Sequence, residues 1–485
     1  MKSMRRCLIP AMVLALAALG CATAPHKMAH SRAQDLGVKP TALDKYVHTP
    51  DPVYHYDVVN TVKGEGYTGY IIKLTSQQYL TKAEVNHPIW HHWLLVAKPD
   101  KVESDKALLY LTGGHIDDPE PQHIDDMFAK FAVATHSIVA VLHGVPNEPL
   151  VFADETKERS EDAIIAYTWN KFLHTGDTKW PLRLPMTKSA VRAMDALQDF
   201  FKSDEGGHIA LNGFVVAGGS KRGWTTWTTA ATDDRVIAIC PIVIDMLNLV
   251  PSFIHHWQVY GFWAPAVKDY TDMGLMKWMG SPEDNALYKL VDPFSYRSRL
   301  TMPKMIMNAA GDQFFLPDSS QFYYDALPGE KHLRYVPNSD HGMGGTDAPQ
   351  TLLAFYNDIV TGTPRPNITW TIEPDGTIRA VSKTKPEVVK LWQATNPKAR
   401  DFRVESIGKA YTSSVLKDQG NGVYVGKVDP PAKGWTAYFI EFTFPQNGPA
   451  PLKLTTQVNV VPNVLPHKYV KPQWPAGGFI RDKQK

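Results

Sequence analysis

A short strand, a glycine pair and a serine stand near the middle of the chain, in the stretch LNGFVVAGGSKRGWTTWTT at residues 211–229. Residues 214–217 form an apolar, β-rich run of the length of one buried strand. Gly218 and Gly219 end that run, Ser220 follows, and the next residues can form a helix. This arrangement is typical of a nucleophile elbow, a turn so tight that the residue at its tip takes strained backbone angles. The pattern predicts that Ser220 presents its hydroxyl at a helix N-terminus, where unpaired N–H groups favour negative charge.

The match to the usual G-x-S-x-G pattern is incomplete. Gly218 and Ser220 fit, but Arg222 occupies the second glycine position and the glycine comes one residue later, at Gly223. The alternative is a glycine-rich turn that enters a helix, with a serine that only caps it. The rest of the chain has to decide between a nucleophile and a cap.

Length and charge narrow the class of protein. A chain of 485 residues is long for one domain, so two folded units are expected. With 51 basic and 49 acidic residues the net charge is +2, which gives no general attraction to nucleic acid or to an anionic membrane.

The first 24 residues have the features of an export signal. A charged start and the apolar residues 8–19 precede the sequence ALGC, which ends at Cys21 and resembles a bacterial lipobox. Cleavage after Ala24 is the alternative, but Pro25 would then follow the cut. We therefore expect a lipoprotein with lipid on Cys21, exported to the periplasm or anchored to the outer membrane of a Gram-negative bacterium. Cys240 then remains as the cysteine of the folded body, and its apolar surroundings predict a buried core residue.

Several apolar runs before and after the elbow predict a doubly wound, mostly parallel α/β sheet. A helix that begins near Thr187 immediately precedes the elbow strand, as a parallel crossover requires. The predicted strands are residues 68–74, 90–97, 107–111, 137–142, 214–217, 236–244, 303–309 and 333–336.

An acid and a base follow the last two predicted strands. Residues 303–309 lead to Asp312, and residues 333–336 lead to His341. Ser220, Asp312 and His341 therefore occur in the order Ser, Asp, His, which is the order of the α/β-hydrolases. The carboxyl ends of parallel strands meet at one edge of the sheet, so these three residues are predicted to form a catalytic triad. Asp245, which ends the preceding strand, is the alternative acid.

Two further groups are predicted to complete the site. Gly113 and Gly114 follow an early strand, where serine hydrolases place one N–H of the oxyanion hole, and the N–H of Lys221 would supply the other. An aromatic-rich insertion at residues 247–291 predicts a cap over the pocket, although a packed core helix is the alternative. Trp257 and Trp263 of this insertion, together with Arg222, are the predicted substrate contacts.

Composition changes after residue 362. Residues 25–362 are assigned to the α/β domain, and residues 363–485 to an immunoglobulin- or fibronectin-like antiparallel β-sandwich with no catalytic residues of its own. The polar tail at residues 468–485 is expected either to cover a surface or to be loose.

The chain resembles the PhoPQ-activated pathogenicity-related proteins. The resemblance rests on motifs that are spread over most of the mature chain: Glu161-Asp162 with residues 166–169, residues 184–188 with 192–195, residues 218–224, His256-Trp257, Asp292-Pro293, residues 311–314 and Asp340-His341. It implies an α/β-hydrolase fold, a role in envelope stress and virulence regulation, and little about the substrate. The elbow is also similar to the G-C-S-R-x-G motif of glucuronoyl esterases, which implies that Lys221 replaces an arginine that helps to bind the oxyanion.

Together these features predict a serine hydrolase, an envelope carboxylesterase acting on a small-molecule, carbohydrate or peptide ester or amide. It would need neither a metal nor an organic cofactor, and would meet a membrane only through a lipid on Cys21. The alternatives are a prolyl-peptidase-like serine peptidase, and a non-catalytic envelope-protection binding protein on a hydrolase scaffold.

Overall fold

Residues 31–445 and 448–484 are described by the structure, which is a computed structural model. The predicted export signal and Cys21 lie outside these residues. The strands, in chain order, are β1 (His55–Gly64), β2 (Tyr67–Gln78), β3 (Ile89–Pro99), β4 (Lys106–Leu111), β5 (Ile138–Leu142), β6 (Leu150–Val151), β7 (Glu158–Arg159), β8 (Gly213–Gly219), β9 (Val236–Ile242), β10 (Lys304–Ala309), β11 (Lys331–Val336), β12 (Ile368–Ile372), β13 (Ile378–Ser382), β14 (Val388–Asn396), β15 (Thr412–Val415), β16 (Val423–Gly426), β17 (Trp435–Phe444), β18 (Leu452–Thr455) and β19 (Asn459–Val461).

The helices lie mainly between the strands of the first three quarters of the chain. They are α1 (Arg32–Asp35), α2 (Ala42–His48), α3 (Asp126–Thr135), α4 (Asp162–Thr175), α5 (Arg183–Lys202), α6 (Lys221–Thr232), α7 (Leu249–Tyr260), α8 (Lys268–Asp272), α9 (Pro282–Val291), α10 (Ala348–Thr361) and α11 (Val404–Ile407). None of the helices in the described part of the chain has the length and apolar character needed to cross a membrane.

The central sheet has the strand order β1-β2-β3-β5-β4-β8-β9-β10-β11. β1, β2 and β3 pair antiparallel, and β3 is antiparallel to β5. The six strands β5, β4, β8, β9, β10 and β11 run parallel to one another. This order and these directions are those of the α/β-hydrolase fold, which confirms the predicted fold class. Because the parallel strands share one carboxyl edge, the loops after β4, β8, β10 and β11 all open at that edge.

Alternating residues of the strands supply two cores, one on each face of the sheet. Val216 packs into the core that contains α5 and α6, whereas its neighbour Val215 packs into the core that contains α3 and α10. Cys240 belongs to the second core and is fully buried, and this burial raises the pKa of its thiol. The prediction of a core cysteine is confirmed.

The insertion between β9 and β10 forms a helical cap. It contains α7, α8 and α9, joined by short 3-10 turns. The tail packs against it: Trp474 Nε1 donates to the Met279 carbonyl at 3.1 Å, and Arg481 pairs with the buried Glu283 at 2.9 Å. Of the two expectations for the tail, covering a surface is the one that the structure supports.

The C-terminal strands form a two-layered antiparallel arrangement, as predicted. The sheet β12-β13-β16 faces β14, β17 and β18 across a core that includes Ile378, Ala380 and Ile440. One of the two layers is joined to the central sheet, because β18 pairs with β11 where Leu333 meets Thr455. The sequence gives no sign of this edge-to-edge joint.

Candidate active site

Ser220 occupies the tip of the turn between β8 and α6. Its backbone angles are φ 56° and ψ −122°, a strained region for any residue other than glycine. Its N–H donates to the Ile242 carbonyl at the end of β9, at 2.8 Å. The turn therefore has the conformation expected of a nucleophile elbow, and the Ser220 side chain stands before the first amides of α6, which have no acceptor inside the helix.

The displaced glycine of the motif has a steric reason. A Cβ at Gly223 would lie 2.9 Å from the carbonyl oxygens of both Gly218 and Ile242, so α6 approaches the ends of β8 and β9 closely at this residue. A side chain at residue 222 leaves the helix in another direction and meets no such obstacle. The glycine is required where the helix touches the sheet, which here is one residue later than in the usual motif.

Arg222 is held by carboxylates away from the serine. Its guanidinium makes a bidentate pair with Glu161 at 2.8 and 3.0 Å, lies 3.5 Å from Glu148 and donates through Nε to the Val145 carbonyl. These partners occupy the planar fork of the side chain. The sequence predicted that Arg222 contacts the substrate. In the structure its guanidinium binds carboxylates instead and does not line the cavity described below.

Glu161 joins the two cations that follow Ser220. Besides Arg222 it pairs with the Lys221 ammonium, which also lies 3.4 Å from Asp162. Burial opposes ionisation of Glu161, but Arg222 and Lys221 outweigh it and lower its pKa to about 2. The neighbouring Glu148 shows the opposite shift, because burial and the charge of Glu161 raise its pKa to about 8.

Asp312 and His341, the predicted acid and base, lie within hydrogen-bond distance of each other. His341 Nδ1 lies 2.7 Å from Asp312 Oδ2, and the other oxygen of Asp312 accepts from the N–H groups of Phe314 and Phe315 at 2.7 and 3.3 Å. Asp312 is buried, and the N–H of His341 donates to the Gln313 side chain at 2.9 Å. The Asp312 carboxylate is thus fixed by its own loop, and its contact with Nδ1 orients the His341 imidazole.

The alternative acid, Asp245, has other partners. Its two oxygens accept from the hydroxyl groups of Tyr323 and Tyr335, each at 2.6 Å, inside the core. Complete burial raises the pKa of Asp245 to about 8. The geometry therefore favours Asp312 over Asp245 as the partner of His341.

Phe314 lies next to His341 and next to the cavity that contains Ser220. The Phe314 ring lies 4.4 Å from the imidazole, centroid to centroid, and also lines the cavity beside Ser220. Within the described part of the chain no hydrogen bond joins Ser220 Oγ to His341. Such bonds are often long in proteins without substrate and shorten when substrate binds.

A narrow cavity of about 40 Å³ opens beside Ser220 under the cap. Most of its walls are apolar, with a polar end formed by Asp162, Arg183, Lys221 and Tyr270. The remaining lining residues are Trp169, Trp224, Ile244, Met246, Leu249, Phe253, Val267, Phe314 and Phe315.

Trp257 and Trp263 do not line this cavity, contrary to the prediction. Trp263 lies behind Phe253, with ring centroids 6.0 Å apart, and Trp257 packs on Trp263 at 5.2 Å. Helix α7 lines the cavity with Leu249 and Phe253, which lie two turns and one turn before Trp257. The two tryptophans form an outer aromatic layer.

The loop after β4 brings Gly113 next to the first turn of α6. A Cβ at Gly113 would lie 2.6 Å from Arg222 Nη2, whereas one at Gly114 would face the Gly144 N–H at 2.9 Å. Among the residues that the structure describes, the amides of Gly113 and Gly114 donate no hydrogen bond. The same residues contain no group of three His, Cys, Asp or Glu side chains arranged to hold a metal ion.

Residues 43–403 match the model of the PhoPQ-activated pathogenicity-related protein family. The chain belongs to this family. A relative, the autocrine proliferation repressor protein A of Dictyostelium discoideum, is 38% identical over 455 residues, which cover 88% of this chain and 91% of the relative.

Solved structures that resemble the PhoPQ-related chain are α/β-hydrolases of low sequence identity. An acetyl xylan esterase from Paenibacillus sp. R4 is 13% identical with a TM-score of 0.45, and the match covers 66% of this chain and 91% of the esterase. The acylaminoacyl peptidase of Pyrococcus horikoshii is 11% identical with a TM-score of 0.40, over 64% of this chain and 50% of the peptidase.

The PhoPQ-related motifs mark residues that reasoning from chemistry alone missed. Asp162 and Trp169 line the cavity and belong to the motif that begins at Glu161. Neither follows a strand of the central sheet, so the positions of the strands did not indicate them. Arg183 is buried, stacks on Trp224 at 4.2 Å and donates to the Lys221 carbonyl at 3.0 Å, so it supports the elbow from the side. The family motif at residues 184–188, directly after Arg183, was the sequence signal that could have indicated this arginine.

Proposed function

We propose that this protein is a serine hydrolase that cleaves an ester or amide through an acyl-enzyme. The observation that carries the proposal is the Asp312–His341 pair at 2.7 Å, located at the same sheet edge as the strained Ser220 turn. Each group comes from a different loop, and a turn with φ 56° at serine has a cost in stability that a helix cap does not require. Ser220, His341 and Asp312 are the nucleophile, the base and the group that orients the base.

In this mechanism Ser220 Oγ attacks the substrate carbonyl while its proton passes to His341 Nε2. The imidazolium that forms is stabilised by Asp312, whose Oδ2 accepts from Nδ1. The C–O or C–N bond of the tetrahedral intermediate breaks, and the leaving alcohol or amine takes the proton from Nε2. Water then attacks the acyl-enzyme by the same route, which releases the acid and restores Ser220.

The Lys221 N–H and one N–H from Gly113 or Gly114 would bind the developing oxyanion. Lys221 begins α6, where the amides have no acceptor within the helix, and Gly113 lies against the first turn of that helix. The Lys221 ammonium is paired with Glu161 and Asp162. We therefore assign the oxyanion to backbone groups and not to this side chain.

The dimensions of the cavity favour a small acyl group and an ester. The cavity of about 40 Å³ is small and its walls are mostly apolar, which favours a short, apolar acyl group. An extended peptide would need a longer groove next to Ser220. An exported carboxylesterase of the cell envelope, with lipid on Cys21 and a small-molecule, carbohydrate or peptide ester as substrate, is the function we propose.

Labelling with a fluorophosphonate probe tests this function. The wild type should be labelled covalently, and Ser220→Ala and His341→Ala should not, because the serine has to be activated by the imidazole. Asp340→Ala is the matched control: Asp340 is exposed and its carboxylate accepts from the Gly342 N–H, one residue from His341. It should be labelled like the wild type.

A binding protein on a hydrolase scaffold is the second candidate. It is favoured by the missing hydrogen bond between Ser220 Oγ and His341 in the described residues, and by the narrowness of the cavity. If the folded wild type does not react with the probe, this candidate replaces the hydrolase. If it reacts and cleaves peptides faster than esters, a peptidase replaces the esterase.

A further inference from the structure

Residues 400–411 connect β14 to β15 and leave the C-terminal layers to reach the catalytic edge of the central sheet. We propose that this 400–411 segment is a positioning element, which holds the loops of Asp312 and His341 so that the C-terminal module completes the catalytic unit. The inference rests on the proposed hydrolase function. Its evidence is a set of contacts on both loops.

The first contact lies directly before the acid. The N–H of Val404 donates to the Gly311 carbonyl at 2.9 Å, and Gly311 precedes Asp312. A Cβ at Gly311 would lie 2.5 Å from Val404 Cγ2, so the two backbones touch without room for a side chain. The start of the acid loop is therefore set by the position of α11.

The second contact holds the far end of the same loop. Arg400 Nη2 donates to Asp318 Oδ2 at 2.7 Å, and His255 Nε2 of the cap lies 3.0 Å from the same oxygen. All three side chains are buried. Burial opposes ionisation of Asp318, but the charges of Arg400 and His255 outweigh it, and its pKa is lowered. The segment, the cap and the acid loop thus meet at one carboxylate.

The third contact holds the loop of the base. The side chain of Asn338, three residues before His341, donates to the Tyr411 carbonyl at 2.9 Å and accepts from the Tyr411 N–H at 2.8 Å. Asn338 itself has φ 55°, a conformation that asparagine tolerates better than most residues. The Tyr411 ring is buried, 5.9 Å from Phe439 in β17, which ties this contact to the C-terminal layers.

The two catalytic loops touch each other through the residues that the segment holds. The N–H of Gly311 donates to the Ser339 carbonyl at 3.0 Å. The 400–411 segment therefore contacts the acid loop at Gly311 and the base loop at Asn338, on either side of this bond. A displacement of about 1 Å in a catalytic group can cost on the order of 10²-fold in rate. Loss of these contacts should therefore affect turnover more than substrate binding.

Asn338→Gly tests the contact with the base loop in the full chain. Glycine keeps the positive φ and removes both hydrogen bonds to Tyr411. We expect the rate of fluorophosphonate labelling and the kcat for p-nitrophenyl acetate to fall by at least tenfold, with KM nearly unchanged. Tyr424→Ala is the matched control, because Tyr424 is buried against Phe442 in the same module, away from the loops. Tyr424→Ala should lower the Tm, but the folded variant should be labelled at the same rate as the wild type.

A pair of variants tests the contact with the acid loop, and decides the matter if Asn338→Gly does not fold. Gly311→Ala should reduce labelling, since its Cβ would lie 2.5 Å from Val404 Cγ2 and 2.9 Å from the Ser339 carbonyl oxygen of the base loop. Adding Val404→Ala removes the first of these two clashes and should restore part of the rate.

Two results would overturn the inference. One is a labelled wild type whose rate is unchanged in folded Asn338→Gly, and the other is a folded Gly311→Ala that is labelled as fast as the wild type. An unlabelled wild type would instead reject the proposed function, and this inference with it.

Discussion

Ser220 and Glu161 have almost the same backbone conformation. Glu161 has φ 56° and ψ −129°, and each residue directly precedes a helix, α6 or α4. Strained residues of this kind persist only where their surroundings fix them. Here the carboxylate of Glu161 binds the two cations that follow Ser220, so the two turns hold each other.

At the scale of single residues, the sequence predicted which side chains follow buried strands. It did not predict the side chains with which Arg222 and Asp245 pair. The placement of Ser220, Asp312 and His341 at one edge of the sheet could be predicted because the ends of parallel strands converge there. The pairing of Arg222 with Glu161 joins residues 61 positions apart and depends on how an insertion folds. For the same reason the two tyrosines that occupy Asp245 were not predictable.

Asp245 predicts a dependence of stability on pH. Its pKa is raised from 3.8 to about 8 in the folded protein, so the stabilisation from its protonated form is complete below pH 3.8 and is lost as pH rises through about 8. Asparagine does not titrate. We therefore expect the Tm of Asp245→Asn to rise relative to the wild type between pH 4 and 8. Exposed Asp340→Asn, the control, should follow the wild type, and a constant difference across this range would contradict the prediction.

At the scale of elements, the cap shows what aromatic content can and cannot predict. Seven aromatic or histidine residues within residues 253–263 indicated a cap, and the structure forms α7–α9 there. Which turn of α7 faces the cavity depends on how the helix is placed over the sheet. Strand β1 was missed for a related reason: its residues alternate between exposed and half-buried, so it has little apolar signal.

Phe253 should determine the acyl length that the cavity accepts. It is buried and lines the cavity, so we expect the wild type to cleave p-nitrophenyl acetate faster than the butyrate. Phe253→Ala should raise the butyrate-to-acetate ratio of kcat/KM by about tenfold, since each methylene in an apolar pocket is worth roughly 1–3 kcal/mol. Trp257→Ala, in the outer aromatic layer, should leave the ratio unchanged. An equal response of the two variants would show that the cavity does not bind the acyl group.

At the scale of the whole molecule, the change of composition at residue 363 does not mark an independent body. β18 pairs with β11, and both cores contain residues from each side of that boundary, for example Val216 and Phe439 in the first. Sequence patterns describe each strand locally and carry no information about which edge it joins. The family match ends at residue 403, within the 400–411 segment and well beyond the boundary in composition.

This continuity predicts one cooperative unfolding transition. Because the modules share a sheet and both cores, neither can unfold without exposing the apolar surface of the other. Calorimetry should give a single peak, and circular dichroism and tryptophan fluorescence should change at the same temperature. Two resolved peaks would contradict this prediction.

The two ends of the described chain offer different points of attachment for work on a solid support. The Arg32 guanidinium donates to the carbonyls of Asp233 and Val236, so the first described residues lie at the end of α6 opposite to Ser220. A helix of 12 residues separates these ends by about 18 Å. Protein attached to a support close to Arg32 would keep the cavity towards the solution. Attachment close to Arg481 would place the support beside the cap, where Arg481 binds Glu283.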